Sequence, residues 1–165
     1  MSGKIPLRLL VNGTHHDIAV EPRRNLADAL REDCGLTGTH VGCEHGVCGA
    51  CTVLADGKPV RSCLMFAVQA RGMALRTVES LAKDGRLHPL QAAFRENHGL
   101  QCGFCTPGFL MLAMGALEEN PEIDDGALRK VLSSNLCRCT GYQNILRAVR
   151  AYSGTLQNSQ QREGA

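Results

Sequence analysis

The sequence predicts an α+β fold in two units, a strand-rich one over residues 1–78 and a four-helix one over residues 88–152, with a linker at 79–87. Three observations predict it. Asn-Gly and Asp-Gly each separate two strand-like runs in the first half, one helical spacing lies between these hairpins, and four helical patterns follow the linker. With 165 residues, 44% of them hydrophobic, the chain suits one or two small packed domains.

The first hairpin joins Ile5–Val11 to Asp17–Val20 across Asn12-Gly13-Thr14. Leu26, Ala29 and Leu30 stand at i, i+3 and i+4, which predicts a helix ending near Gly35. Thr52–Ala55 and Lys58–Val60 form the second hairpin around Asp56-Gly57, and Met73–Val78 supplies a further strand. Strands wrapped on one helix make the first unit.

The linker, Glu79–Leu87, contains Lys83-Asp84-Gly85. After it, Pro89 opens a helix whose Leu90, Ala93 and Phe94 share a face and which stops at Gly99. Thr106 is a candidate cap for the second helix, with Pro107 at its first position and Asn120-Pro121 at its end. Asp124 or Asp125 caps the third, whose apolar face is Leu128, Val131 and Leu132. The fourth runs from about Gln143 through Ile145, Leu146, Val149 and Tyr152. From Ser153 to Ala165 the chain is polar and aperiodic, which predicts a mobile tail.

Eight of the nine cysteines fall into two groups of four. Cys43, Cys48, Cys51 and Cys63 open with the C-x4-C-x2-C run of a plant-type [2Fe–2S] site. Cys102 and Cys105 form a C-x2-C pair, Cys137 and Cys139 a C-x-C pair, and each pair falls in a turn between two predicted helices. Thiolates are soft anionic donors, and four of them complete two sulfide-bridged tetrahedral irons. Glycines 42, 46 and 49 alternate with the first ligands and let backbone N–H groups approach the sulfurs. Such hydrogen bonds raise a reduction potential by stabilising the added electron.

Zinc also accepts four cysteines. The glycine loop of the first group has poor zinc-ribbon spacing, whereas the spacing of the second group by itself leaves zinc and iron both open. The remaining candidates have simpler readings. Cys34 stands outside both groups and reads as a small buried hydrophobe. His15 and His16 fall on opposite sides of a strand and read as surface residues. His40 and His45 flank the first loop, where four cysteines leave no need for a histidine ligand. Met111 and Met114 read as core. Arg138 lies between two thiols and either tunes their potential or pairs with a surface acid.

A net charge of +2 without a basic stripe points to neither nucleic acid nor an anionic membrane as partner. No export signal or membrane-spanning run is found: Arg23-Arg24 resembles a twin-arginine pair, but no apolar stretch follows it. Nine cysteines in such a chain indicate metal ligation in a reducing, cytoplasmic compartment rather than disulfides. There is no phosphate-binding glycine fingerprint and no nucleophile–base constellation, so the chain is not catalytic alone.

Three stretches, Gly42–Cys51 (GCEHGVCGAC), Gln101–Gly108 (QCGFCTPG) and Asn135–Tyr142 (NLCRCTGY), resemble the iron–sulfur subunit of xanthine oxidase family molybdenum hydroxylases, and the resemblance runs from about Ile5 to Tyr152. It implies a plant-ferredoxin-like (β-grasp) domain followed by a four-helix domain, each with one [2Fe–2S] cluster. The resemblance implies that Gln101 and Cys139 lie beside a molybdopterin held by a large subunit and expected in its cytosine dinucleotide form. For Gln101 the competing reading is a helix-end amide that satisfies backbone groups. The resemblance further implies electron transfer from that large subunit to FAD on a medium subunit, or to a cytochrome, in a heterotrimer or its dimer. The expected substrate is a small aromatic N-heterocycle or an aldehyde. A carbon monoxide dehydrogenase small subunit, an autonomous ferredoxin-like carrier and a zinc-organised scaffold are the alternatives.

Overall fold

The computed structural model describes residues 3–163, with side-chain surroundings to residue 156. Its first half is a five-stranded mixed sheet in the order β2-β1-β5-β3-β4. The strands are β1 (Ile5–Val11), β2 (Thr14–Val20), β3 (Thr52–Ala55), β4 (Lys58–Arg61) and β5 (Ala74–Arg76). Both hairpins form on the predicted turns. Asn12 and Gly13 have φ of 52° and 79°, Asp56 and Gly57 of 49° and 80°, the left-handed pairs that a two-residue turn between twisted strands requires. Val11 accordingly pairs with Thr14, and Ala55 with Lys58. β4 carries Pro59, which an edge strand tolerates.

Alternation along β1 buries Leu7, Leu9 and Val11 against Leu26, Ala29 and Leu30. The predicted first helix divides into α1 (Leu26–Asp28), capped by the Asn25 side chain, and a π-helical turn over Ala29–Asp33. The amide of Cys34 bonds the Ala29 carbonyl at 2.9 Å, widening the last turn before Gly35 enters the left-handed region at φ 73°.

The second half contains α2 (Pro89–Glu96), α3 (Thr106–Glu119), α4 (Asp125–Leu132) and α5 (Gln143–Glu163). α2 stops three residues before Gly99, with Asn97 as its C-cap. Thr106 is the first helical residue of α3; Cys105 holds the N-cap position, and its side chain accepts no capping hydrogen bond because its thiol faces the second cysteine group. Asp124 caps α4 by accepting from the Ala127 amide at 2.9 Å.

Residues 153–163, expected as an aperiodic tail, continue α5 instead. Ser153 is buried and its hydroxyl bonds the Arg150 carbonyl, while Leu156 packs on the helical core. This tertiary contact and the helix-favouring glutamines and arginine that follow outweigh the lack of a long apolar period. Residues 164 and 165 lie outside the described residues.

α3 joins the halves. Every residue from Gly108 to Leu117 is buried, as a helix apolar all round requires. One side meets α4 and shares a core with α2 and α5; on the other, Gly115 faces β3 and β4, and Gly108, two turns earlier, faces the loop at Gly49 and Ala50. A β-carbon on Gly115 would lie 2.8 Å from Leu54 and 2.7 Å from Pro59, so the helix backbone rests directly on the sheet. Leu54 of β3 belongs to the helical core, which makes the two units one packed body.

Candidate metal centres

The cysteines of the first group occupy the loop between α1 and β3 and the turn after β4. Val53 and Leu54 anchor β3 in the core immediately after Cys51, and the hairpin returns Cys63 beside Cys51. Gly46 and Gly49, at φ 83° and 71°, turn the loop so that backbone amides face sulfur. The Cys48 amide donates to Cys43 Sγ at 3.4 Å and the Ala50 amide to Cys48 Sγ at 3.5 Å. The amides of Cys48 and His45 hold the Cys43 thiol down at about 6. Burial, then the neighbouring Cys51, pushes Cys63 up to about 12.

The second group joins the α2–α3 turn to the α4–α5 turn. Cys139 and Cys102 approach to 3.6 Å between sulfurs, and Cys105 meets Cys137. Burial, then Cys137, pushes Cys105 up to about 12. Cys137 is also buried, which raises its pKa, yet its net shift is downward because the Thr140 hydroxyl and amide donate to Sγ at 3.1 and 3.4 Å. Tyr142 stands at φ 69°, a conformation that costs a bulky residue about 1–3 kcal/mol. That turn brings its hydroxyl 3.0 Å from the Cys137 amide, whose hydrogen bond it accepts.

The thiols therefore meet in twos: Cys43 with Cys48, Cys51 with Cys63, Cys102 with Cys139, and Cys105 with Cys137. Among the described residues no group of three or more His, Cys, Asp or Glu is arranged to hold a single metal ion. Paired thiols are what a two-metal, sulfide-bridged centre requires, since each metal takes two protein sulfurs. A tetrahedral metal with thiolate bonds of about 2.3 Å sets its sulfurs about 3.8 Å apart, close to the Cys102–Cys139 separation. In each pair one thiol, Cys48, Cys63, Cys105 or Cys139, is shifted upward with its cysteine neighbour among the causes, and a bound metal centre reverses that penalty. The donors and their N–H bonds fit a [2Fe–2S] cluster at each group.

The two loops touch. His40 stacks on Phe104 with ring centroids 5.1 Å apart, and the Leu136 amide donates to the Cys48 carbonyl at 2.8 Å. At the second group Cys102 and Cys139 are exposed in a hollow of about 510 Å³, which Phe104, Leu136 and Tyr142 also line. Gln101 adjoins this face, exposed and without a hydrogen-bond partner among the described residues, so the backbone-satisfying reading of its amide does not hold in this chain. Exposed Val47 and Leu64 flank cysteines of the first group, with Phe66 nearby.

Cys34 packs against the first core, and Met111 and Met114 are buried in the second. Arg138 is exposed and pairs with no acid among the described residues. Asn135, Thr140 and Tyr142 belong to the stretch that carries the resemblance but had no role of their own in the sequence, and Arg61 was not singled out at all. Thr140 and Tyr142 act on Cys137 within that run and were legible from it, whereas Asn135 and Arg61 act on residues far away in the chain.

Comparison with known proteins agrees with this geometry. Residues 9–82 match the 2Fe-2S iron-sulfur cluster binding domain, and residues 77–150 match the [2Fe-2S] binding domain. Two such domains packed through α3 define a two-centre iron–sulfur protein. The chain is 56% identical to the caffeine dehydrogenase subunit gamma of Pseudomonas sp. (strain CBB1), over 95% of this chain and 96% of that one. It is 54% identical to the nicotine 6-hydroxylase small subunit of Paenarthrobacter nicotinovorans, over 95% and 94%. Quinoline 2-oxidoreductase from Pseudomonas putida 86 superposes with a TM-score of 0.90 at 50% identity, covering 95% of this chain and 98% of the matched chain. The chain belongs to the small iron–sulfur subunits of the xanthine oxidase family of molybdenum hydroxylases. Among the described residues no helix is long and apolar enough to cross a membrane.

Proposed function

We propose that this chain carries electrons from a molybdopterin-bearing large subunit, through its two cysteine groups, to FAD on a medium subunit of a cytoplasmic heterotrimer. When bound, a [2Fe–2S] cluster takes up and returns one electron at a time. Cys102, Cys105, Cys137 and Cys139 hold the receiving centre, and Cys43, Cys48, Cys51 and Cys63 the delivering one. The observation that carries this reading is the hydrogen bond from the Leu136 amide to the Cys48 carbonyl, which links a residue adjoining Cys137 to a ligand of the other group.

Entry at the helical unit is supported by the exposure of Cys102 and Cys139 beside an unpartnered Gln101, whose amide both donates and accepts. The apolar rim of Phe104 and Leu136 suits a protein interface that excludes water from the transfer face. Val47 and Leu64 offer a similar surface beside the first group. The similarity to caffeine, nicotine and quinoline enzymes supports an aromatic N-heterocycle as the substrate of the complex.

The test is paramagnetic resonance on the reduced chain with Cys48→Ser and Cys105→Ser variants. The unaltered chain is expected to give two distinguishable [2Fe–2S] signals, and each variant to lose a different one. Four-iron clusters, or zinc bound in the helical unit, would overturn the assignment.

A further inference from the structure

Asn135 is completely buried, and its Oδ1 has no hydrogen-bond partner among the described residues. Such an atom is costly to keep, and an apolar side chain of the same shape would avoid the cost. The other end of the amide explains its presence. Nδ2 donates to the Gly49 carbonyl at 3.1 Å, inside the first cysteine loop and 86 residues away in the chain. Gly49 is shaped to receive it: at φ 71°, a β-carbon there would lie 2.0 Å from Asn135 Oδ1.

The same carbonyl accepts from the Thr52 hydroxyl at 2.6 Å and the Thr52 amide at 3.1 Å. Arg61 closes the circuit. Its Nη1 donates to the Thr52 hydroxyl, and its Nη2 donates to the Ser134 carbonyl at 2.8 Å, next to Asn135. These bonds surround the contact between Leu136 and Cys48 on both sides. Segment 134–136 is thereby fixed against segment 48–52 by a side chain from each unit.

We propose that Asn135 and Arg61 are positioning residues for electron transfer between the two centres, holding the Cys48 carbonyl against the Leu136 amide. Among the described residues neither hydrogen-bonds to a cysteine sulfur, so they act on the spacing of the centres and not on their assembly. This inference rests on the ligand assignment proposed above.

The experiment uses the full chain, loaded with iron and sulfide, carrying Asn135→Leu, Arg61→Met or Arg61→Lys. Metal content, the magnetic interaction between the two reduced centres, and the rate of electron redistribution after rapid reduction are measured. Asn135→Leu and Arg61→Met are expected to keep both signals, to weaken the magnetic interaction, and to slow redistribution severalfold; Arg61→Lys is expected to recover part of the rate. Normal interaction and rate in an iron-replete Arg61→Met chain would overturn the proposal, and this half-buried arginine provides the decision if Asn135→Leu does not fold. Absence of two centres from the unaltered chain would instead overturn the ligand assignment, and this inference with it.

Discussion

Gly108 at the start of α3 lies so close to the first cysteine loop that a β-carbon on it would stand 2.3 Å from the Gly49 carbonyl oxygen. The atoms opposite are backbone and cannot swing aside. Contact between a helix of one unit and the loop of the other is therefore made at the level of main chain, with no side chain to cushion it.

Gly108→Ala is expected to destabilise the chain by about 1–3 kcal/mol, the usual cost of overpacking, and to loosen iron in the first centre. Gly154→Ala is the control, because an added β-carbon there meets nothing within 4 Å. Alanine inside a helix should gain about 0.5–1 kcal/mol over glycine. Thermal unfolding and iron content of the two variants check both signs.

Thr140→Val removes the hydroxyl that donates to Cys137 Sγ at 3.1 Å. With less stabilisation of the added electron, the second centre should become harder to reduce by about 20–65 mV, the equivalent of about 0.5–1.5 kcal/mol. Thr140→Ser should restore the potential. Potentiometric titration is the measurement, and the first centre serves as the internal reference.

His88 caps α2 by accepting from the Leu90 amide at 3.2 Å through Nδ1. Burial, then the nearby Arg76 and Lys83, lower its pKa, with Glu118 opposing them. The unfolded chain thus binds a proton at a higher pH than the folded chain does. Stability is expected to fall as pH drops below the unfolded histidine value of about 6.5 and to keep falling through the lower folded pKa. His88→Asn keeps a capping acceptor without the titration and should flatten this limb in urea unfolding at pH 5 and 7.

Cys34 is half-buried, and burial followed by the charge of Asp33 pushes its thiol up to about 11. Cys34→Ala should keep full iron and sulfide. In the folded chain this thiol should react slowly with an alkylating agent at pH 8, since so little of it is thiolate. Loss of either centre in the folded Cys34→Ala chain would contradict this.

The sequence by itself determined the two units, both hairpin turns, the start of each later helix to within a residue and the two groups of four cysteines. These are local features: a turn needs two residues with positive φ, and C-x4-C-x2-C places three sulfurs within one loop. Local patterning misjudged the segment from Ser153, where burial of Ser153 and Leu156 extends α5, and the cap of α3, where Cys105 takes the position expected for Thr106. Only the tertiary structure decided which thiols meet and how the two groups join. Asn135 reaches Gly49 and Arg61 reaches Ser134 across separations of 86 and 73 residues. No periodicity encodes such pairs, because each joins two segments that are far apart in the chain and meet only in the folded structure.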